Sequence, residues 1–215
     1  MMMLRLCLVV GLLVLYGCDA STSPRNNQIR NESDSIGIIS VIRQALVNVQ
    51  DGDLVVRCGR DFTSTSLCKL NRRNKLYSHC GLVRIEQNQP YVYHAMGGEF
   101  NPDQALMREP FVDFVNPKHE IRFAMFRLDS TQVNLETMYN QMKKDYQHKL
   151  PFDLAFDLNT SDRMYCSEWV AHCISKALSK SKPFNISQIG TKAFIGVDDL
   201  FLHPAFREIL AVSYK

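Results

Sequence analysis

Two tetrapeptides far apart in the chain, Ser78-His79-Cys80-Gly81 and Tyr165-Cys166-Ser167-Glu168, hold the residue types of a thiol hydrolase, with the histidine ahead of the cysteine. The first opens a segment that reads as a β-strand, since Leu82, Val83 and Ile85 follow His79. The second opens a helix: Trp169, Val170, Cys173, Ile174, Ala177 and Leu178 recur at helical spacing, so they share one face and Cys166 heads it. At a helix N-terminus the free N–H groups and the positive end of the dipole favour the thiolate over the thiol. A histidine on a facing strand can then exchange the proton. Two other readings of the same residues stand beside this one. Cys166 could be a buried cysteine filling a small space in a core helix. His79, Cys80, Cys166, His172 and Cys173 could be metal ligands, but no pair has C-x-x-C spacing, which ranks a metal below the thiol chemistry.

The elements that must position these residues follow from pattern. Ile36 to Val49 predicts an amphipathic helix, and Leu54 to Val56 a short buried strand. Gly59 to Lys75 is polar and basic and predicts a loop ending near the site mouth, where it could attract an anion or simply be solvated. His79 to Ile85 and Tyr91 to Ala95 predict a hairpin. Asn101 to His119, with Pro102, Pro110 and Pro117, predicts an irregular excursion. Strands are expected at Ile121 to Leu128 and Glu208 to Tyr214, and helices at Thr131 to Tyr146 and Cys166 to Leu178. The sum is an α+β fold, a mainly antiparallel sheet packed on helices.

Composition bounds the function. The chain has 215 residues, 46% hydrophobic and 22% charged, with a net charge of +3 spread along it, so it lacks the basic stripe of a nucleic-acid binder. The N-terminus departs from the rest: Arg5, the apolar run Leu6 to Leu15 and then Gly17-Cys18 have the layout of a secretory signal, and Leu15-Tyr16-Gly17-Cys18 resembles a bacterial lipobox. The expected organisation is a lipoprotein-type signal over 1–17, lipidated Cys18, a flexible tether over 18–35 and a domain over 36–215. This places the protein in the bacterial cell envelope, anchored to a membrane through Cys18. After processing, Cys58, Cys68, Cys80, Cys166 and Cys173 remain; the odd number leaves at least one thiol free or paired between chains, and a Cys58–Cys68 bridge is open to it.

Gly52-Asp53-Leu54-Val55, Ser78-His79-Cys80-Gly81-Leu82-Val83, Val92-Tyr93-His94-Ala95, Pro151-Phe152-Asp153 with Phe156, and Tyr165-Cys166-Ser167-Glu168 stand in this order. That order resembles the circularly permuted papain-like hydrolases, the YiiX-like branch of the NlpC-type cysteine peptidase superfamily, related to the lecithin retinol acyltransferase group. The resemblance spans Asp51 to Leu178 apart from Asn101 to His119. It implies a permuted papain-like fold, Cys166 as nucleophile, His79 as general base, and His94 as the group orienting His79, where many members carry Glu. Tyr165, Ser167 and Glu168 become candidate substrate-binding residues. Asp153 reads as a brace for the segment presenting Cys166. No metal or organic cofactor is implied. The expected substrate is a peptide, N-acyl amide or lipid-like molecule, cleaved through an acyl-enzyme; acyl transfer to or from a lipid and a non-catalytic binding lipoprotein are the alternatives.

Overall fold

The computed structural model describes residues 37–98, 100–129, 131, 133–178 and 183–214. The expected signal, Cys18 and the whole of the expected tether lie outside them. Gly37 to Lys215 forms one compact unit. Its centre is a six-stranded, wholly antiparallel sheet in the order β4-β3-β2-β1-β5-β8, where β1 is Leu54–Gly59, β2 His79–Glu86, β3 Gln89–His94, β4 Met107–Pro110, β5 Glu120–Leu128 and β8 Phe206–Ser213. A small hairpin, β6 (Ser187–Ile189) and β7 (Lys192–Phe194), stands apart from it. The helices are α1 (residues 37–48), α2 (Phe62–Cys68), α3 (Phe111–Phe114), α4 (Leu135–Gln147), α5 (Cys166–Ala177) and α6 (Val197–Phe201).

Alternation along the strands divides the core in two. Leu54, Val56, Cys80 and Leu82 join the larger cluster with Trp169, Val170 and Ile174 of α5 and Met138 and Met142 of α4. Val55, Val83, Val92 and Phe123 face the other way, into a cluster with Phe111 and Phe114 of α3 and Ala45 of α1. One face is therefore covered by α4, α5 and α6, the other by α1 and α3. Central strands buried on both faces account for the unbroken apolar runs Leu54-Val55-Val56 and Phe123 to Phe126.

Two glycines set the register that matters. Gly52 has φ +80 just before β1, and a Cβ there would meet Leu135 of α4 at 2.9 Å. Its N–H bonds Val83 O, and the neighbouring Asp53 carboxylate receives both a 2.9 Å bond from Arg127 Nε and another from Nη2. At Gly81 a Cβ would lie 2.5 Å from Val92 and 3.0 Å from the Cβ of His94, so only glycine admits β3 this close beside β2.

Four stretches differ from expectation. Gly59 to Lys75 contains α2, because Asp61 accepts from Ser64 N at 2.8 Å and caps a short helix. Asn101 to His119 contains β4 and α3; β4 completes the sheet edge by pairing Val92 with Glu109 and His94 with Met107. The hairpin β6-β7 and α6 occupy the stretch between α5 and β8, where sequence pattern predicted no element. The expected helix from Thr131 begins at Leu135 instead, since the Asn134 side chain caps it on Thr137 N.

One polar knot locks α4 to α5: buried Asp145 accepts from Trp169 Nε1 at 3.0 Å and from Gln141 Nε2 at 2.7 Å. Asp145→Ala strands the indole N–H in a dry core, which costs about 2 kcal/mol. Thermal unfolding of this variant is expected to shift down by about 4–8 °C; an unchanged midpoint would remove Asp145 from the forces holding α5, and with it Cys166, in place.

Candidate active site

The site lies where β2 begins and α5 begins. Cys166 is the first residue of α5, preceded by Tyr165 in extended conformation at the N-cap. The helix starts there because Glu168 Oε2 reaches back to Tyr165 N at 3.4 Å, and because two contacts tie its first turn to the 195–196 loop: Ser167 Oγ donates to Ile195 O at 2.7 Å, and Ile195 N donates to Tyr165 Oη at 2.8 Å. Tyr165 and Ser167 thus border the cleft but spend their hydroxyls on Ile195; Glu168 is buried behind them, its carboxyl pushed up to about 7 by burial. Asp153 is buried and accepts from Ala155 N and Asp157 N at 2.8 and 2.6 Å, which fixes the turn leading toward α5.

His79, first residue of β2, and His94, last residue of β3, meet ring to ring. His79 Nε2 and His94 Nδ1 are 2.9 Å apart, with the rings edge to face. His94 is fully buried, and its other nitrogen lies 3.0 Å from Glu109 Oε1 on β4, a close polar contact without the alignment of a hydrogen bond. Burial, reinforced by the charge of His79, lowers the His94 pKa to about 4, so this ring is neutral near pH 7. Glu109 is ionised: burial works against the carboxylate, but His94 and then the Arg57 guanidinium outweigh it and hold its pKa down. These charges assign the protons. His94 carries its hydrogen on Nε2 toward Glu109 and accepts on Nδ1 from His79 Nε2–H, which leaves His79 Nδ1 as the nitrogen free to face the thiol.

The Cys166 thiol is held well below the ordinary range, first by a hydrogen bond donated from the Cys80 thiol and then by the charge and hydrogen bond of His79, all against the cost of burial. Cys80, the residue after His79, is pushed well above the ordinary range by burial and by the negative charge on Cys166. The two thiols are thus driven in opposite directions, Cys166 toward its charged form and Cys80 toward its protonated form.

His79 and Cys166 open onto a cleft of about 450 Å³. Leu67, Phe152, Phe156 and Phe194 supply apolar walls, while Arg57 and Glu120 supply charge. Arg57, cross-strand partner of His79, stacks 4.2 Å over Phe114 and contacts Glu120 at 3.2 Å and Glu109 at 3.7 Å. Burial and the neighbouring carboxylates Asp61 and Glu109 push Glu120 up to about 7 in spite of that guanidinium.

Of the residues singled out from sequence, Cys166, His79 and His94 come together, Tyr165 and Ser167 flank them, and Cys18 lies outside the described residues. His172 and Cys173 lie farther along α5; Cys173 is fully buried and approaches Asp145 at 4.0 Å. Glu109, Arg57, Glu120 and the Cys80 thiol were missed as site residues. Glu109 gave no strand signal, because the prolines around it mask the short period of β4; Cys80 was visible only as the residue beside His79.

No protein-family model matches the chain. It is 26% identical over 146 residues to the uncharacterized protein YiiX of Escherichia coli strain K12, an alignment covering 64% of this chain and 67% of that one. The crystal structure of the metalloprotein YiiX from Escherichia coli O157:H7 superposes with a TM-score of 0.61 at 18% identity, over 76% of this chain and 98% of that one. A metal does not fit the residues present here: the facing nitrogens of His79 and His94 are bonded to each other, and no group of three or more His, Cys, Asp or Glu side chains among the described residues could hold an ion. The chain is thus similar to YiiX in sequence, and it has the α+β fold of the YiiX structure.

Proposed function

We propose that this chain is a cysteine hydrolase of papain-like fold and permuted topology, cleaving an amide bond through an acyl-enzyme on Cys166. The observation that carries the reading is the placement of Cys166 at the head of α5, beside His79, whose ring meets His94 with Glu109 behind it, and open to a cleft. Cys166 attacks the carbonyl carbon, and its backbone N–H at the free end of α5 stabilises the oxyanion. His79 passes a proton from Nδ1 to the leaving amine, then takes one from the water that hydrolyses the thioester. His94 and Glu109 position His79: neutral His94 accepts its Nε2–H throughout, so the ring cannot rotate away from the sulfur. Tyr165, Ser167 and Glu168 hold the helix start, and Tyr165 and Ser167 shape the rim. The amide belongs to a peptide or N-acyl compound, cell-wall derived in the simplest case. The apolar walls also suit an acyl chain, which supports a second reading, a lipid esterase or acyltransferase using the same residues. In this reading the protein is exported and anchored to the cell envelope by lipid on Cys18.

Iodoacetamide is expected to modify Cys166 faster than Cys58, Cys68, Cys80 or Cys173 at pH 7, with peptide mass mapping as the readout. Because the Cys166 pKa is lowered, its alkylation rate should hold level as pH drops from 9 to 7, where an ordinary thiol of pKa about 8.5 loses most of its thiolate. Equal labelling of all five cysteines would overturn the assignment. A thioester-forming acyl probe should be captured by the wild type and not by Cys166→Ala.

In turnover of a model N-acyl amide, His79→Ala should cost about 10²–10⁴-fold in kcat. His94→Ala and Glu109→Gln should cost about 10–100-fold, with His94→Gln recovering part of the loss. A His94→Ala enzyme as impaired as His79→Ala would mean that His94 itself moves protons to substrate.

For the anchor, processed Cys18→Ser protein is expected in the soluble fraction and the parent chain in the membrane fraction. Membrane retention of the processed variant would point to another anchor.

A further inference from the structure

Two cysteines meet away from Cys166 and Cys80. Cys58 lies on β1 and Cys68 ends α2; both are buried, and their sulfurs are 3.1 Å apart. Cys68 donates to Cys58, and Cys58 in turn lies 3.6 Å from Gly59 O. The two elements they join border the cleft, since Gly59, Asp61, Thr63, Ser64 and Leu67 line it beside Cys166. α2 is short, only seven residues, and its packing rests mainly on Cys68, the one buried residue in it. A short helix with one fully buried residue, the rest half-buried or exposed, is a weakly held wall.

We infer that Cys58 and Cys68 are disulfide partners, oxidised by exchange with a low-molecular-weight disulfide, and that the bond staples α2 to β1 as a fixed wall of the cleft. One protein thiolate attacks a sulfur of oxidised glutathione, forming a mixed disulfide and releasing one glutathione. The second protein thiolate attacks the protein-bound sulfur of that mixed disulfide, forming the Cys58–Cys68 bond and releasing the second glutathione. The dithiol is oxidised, the glutathione disulfide is reduced, and the two thiol protons end on the two glutathiones. Burial and the neighbouring Cys58 push the Cys68 thiol up to about 12, so the docked pair is slow to react and the bond forms as the chain folds. Once made it is shielded from reductant by the same burial. The inference is independent of the hydrolase reading: it concerns a wall of the cleft, whatever the cleft binds.

Trypsin cuts after Arg57, Arg60 and Lys69, so this bond joins two separate peptides, 58–60 and 61–69. The full chain is refolded from denaturant in a glutathione redox buffer, quenched in acid, alkylated with N-ethylmaleimide in denaturant and mapped by mass spectrometry. The expected result is the linked pair 58–60/61–69, about 2 mass units below the sum of the two thiol peptides, with Cys80, Cys166 and Cys173 alkylated. The oxidised chain should unfold about 5–10 °C above the same chain reduced. The folded, reduced chain incubated with oxidised glutathione is mapped in parallel and should form the same link more slowly, so that the result does not hang on refolding yield. Alkylation of both Cys58 and Cys68 in both samples, or a Cys80–Cys166 link in their place, would overturn the inference.

Discussion

A cysteine at the edge of an apolar core, with surroundings that favour its charged form, is the constraint around which this protein is arranged. Cys166 is 7% exposed, and a charge so placed is tolerated only if donors surround it. The head of α5 supplies the end of a helix, Cys80 supplies a thiol proton, and His79 supplies an imidazole. Each donor comes from a different part of the chain. The helix start must therefore sit against the start of β2, and everything that fixes that junction acts on the sulfur: Tyr165 and Ser167 gripping Ile195, Gly81 admitting β3, and Asp145 holding α4 to α5.

The polar chain behind His79 follows the same logic outward from the core. A neutral imidazole is a suitable acceptor for the Nε2–H of His79, because it adds no charge to a buried place. His94 meets that requirement through its complete burial, and Glu109 with Arg57 sets which nitrogen carries its hydrogen. A carboxylate in the position of His94 would put a second charge beside Phe114, whose ring lies 5.2 Å from that of His94. Here the charge sits one residue farther out, on Glu109 at the sheet edge, where Arg57 can reach it.

How much of this was legible beforehand depended on the range of the interaction that decides it. Helix α5 and the hairpin β2-β3 are periodic over many residues and bury one face or two, so their pattern stands out in the sequence. Cys166 and His79 could be singled out because each heads such an element; His94, and the roles given to all three, came from the resemblance in the order of the motifs. Glu109 could not be singled out. It lies on a four-residue strand between prolines, and its role comes from pairing with Val92, a partner 17 residues away. The Asp61 cap that turns a polar stretch into α2 is a single local hydrogen bond with little apolar pattern around it. Tyr165, Ser167 and Glu168 were visible as neighbours of Cys166, but that two of their side chains spend themselves on Ile195 depends on a loop 30 residues later.

The sequence alone determined the order of the motifs, the α+β class, the strand-borne histidine and the helix-borne cysteine, because hydrophobic period and helix-end chemistry act between near neighbours. Only the tertiary structure decided the contacts: that Cys80 and Cys166 shift each other in opposite directions, that burial keeps His94 neutral beside Glu109, that Cys58 touches Cys68, and which walls the cleft has. Each of those depends on distances across strands and on the exclusion of water, and neither exists until the sheet has closed over its helices.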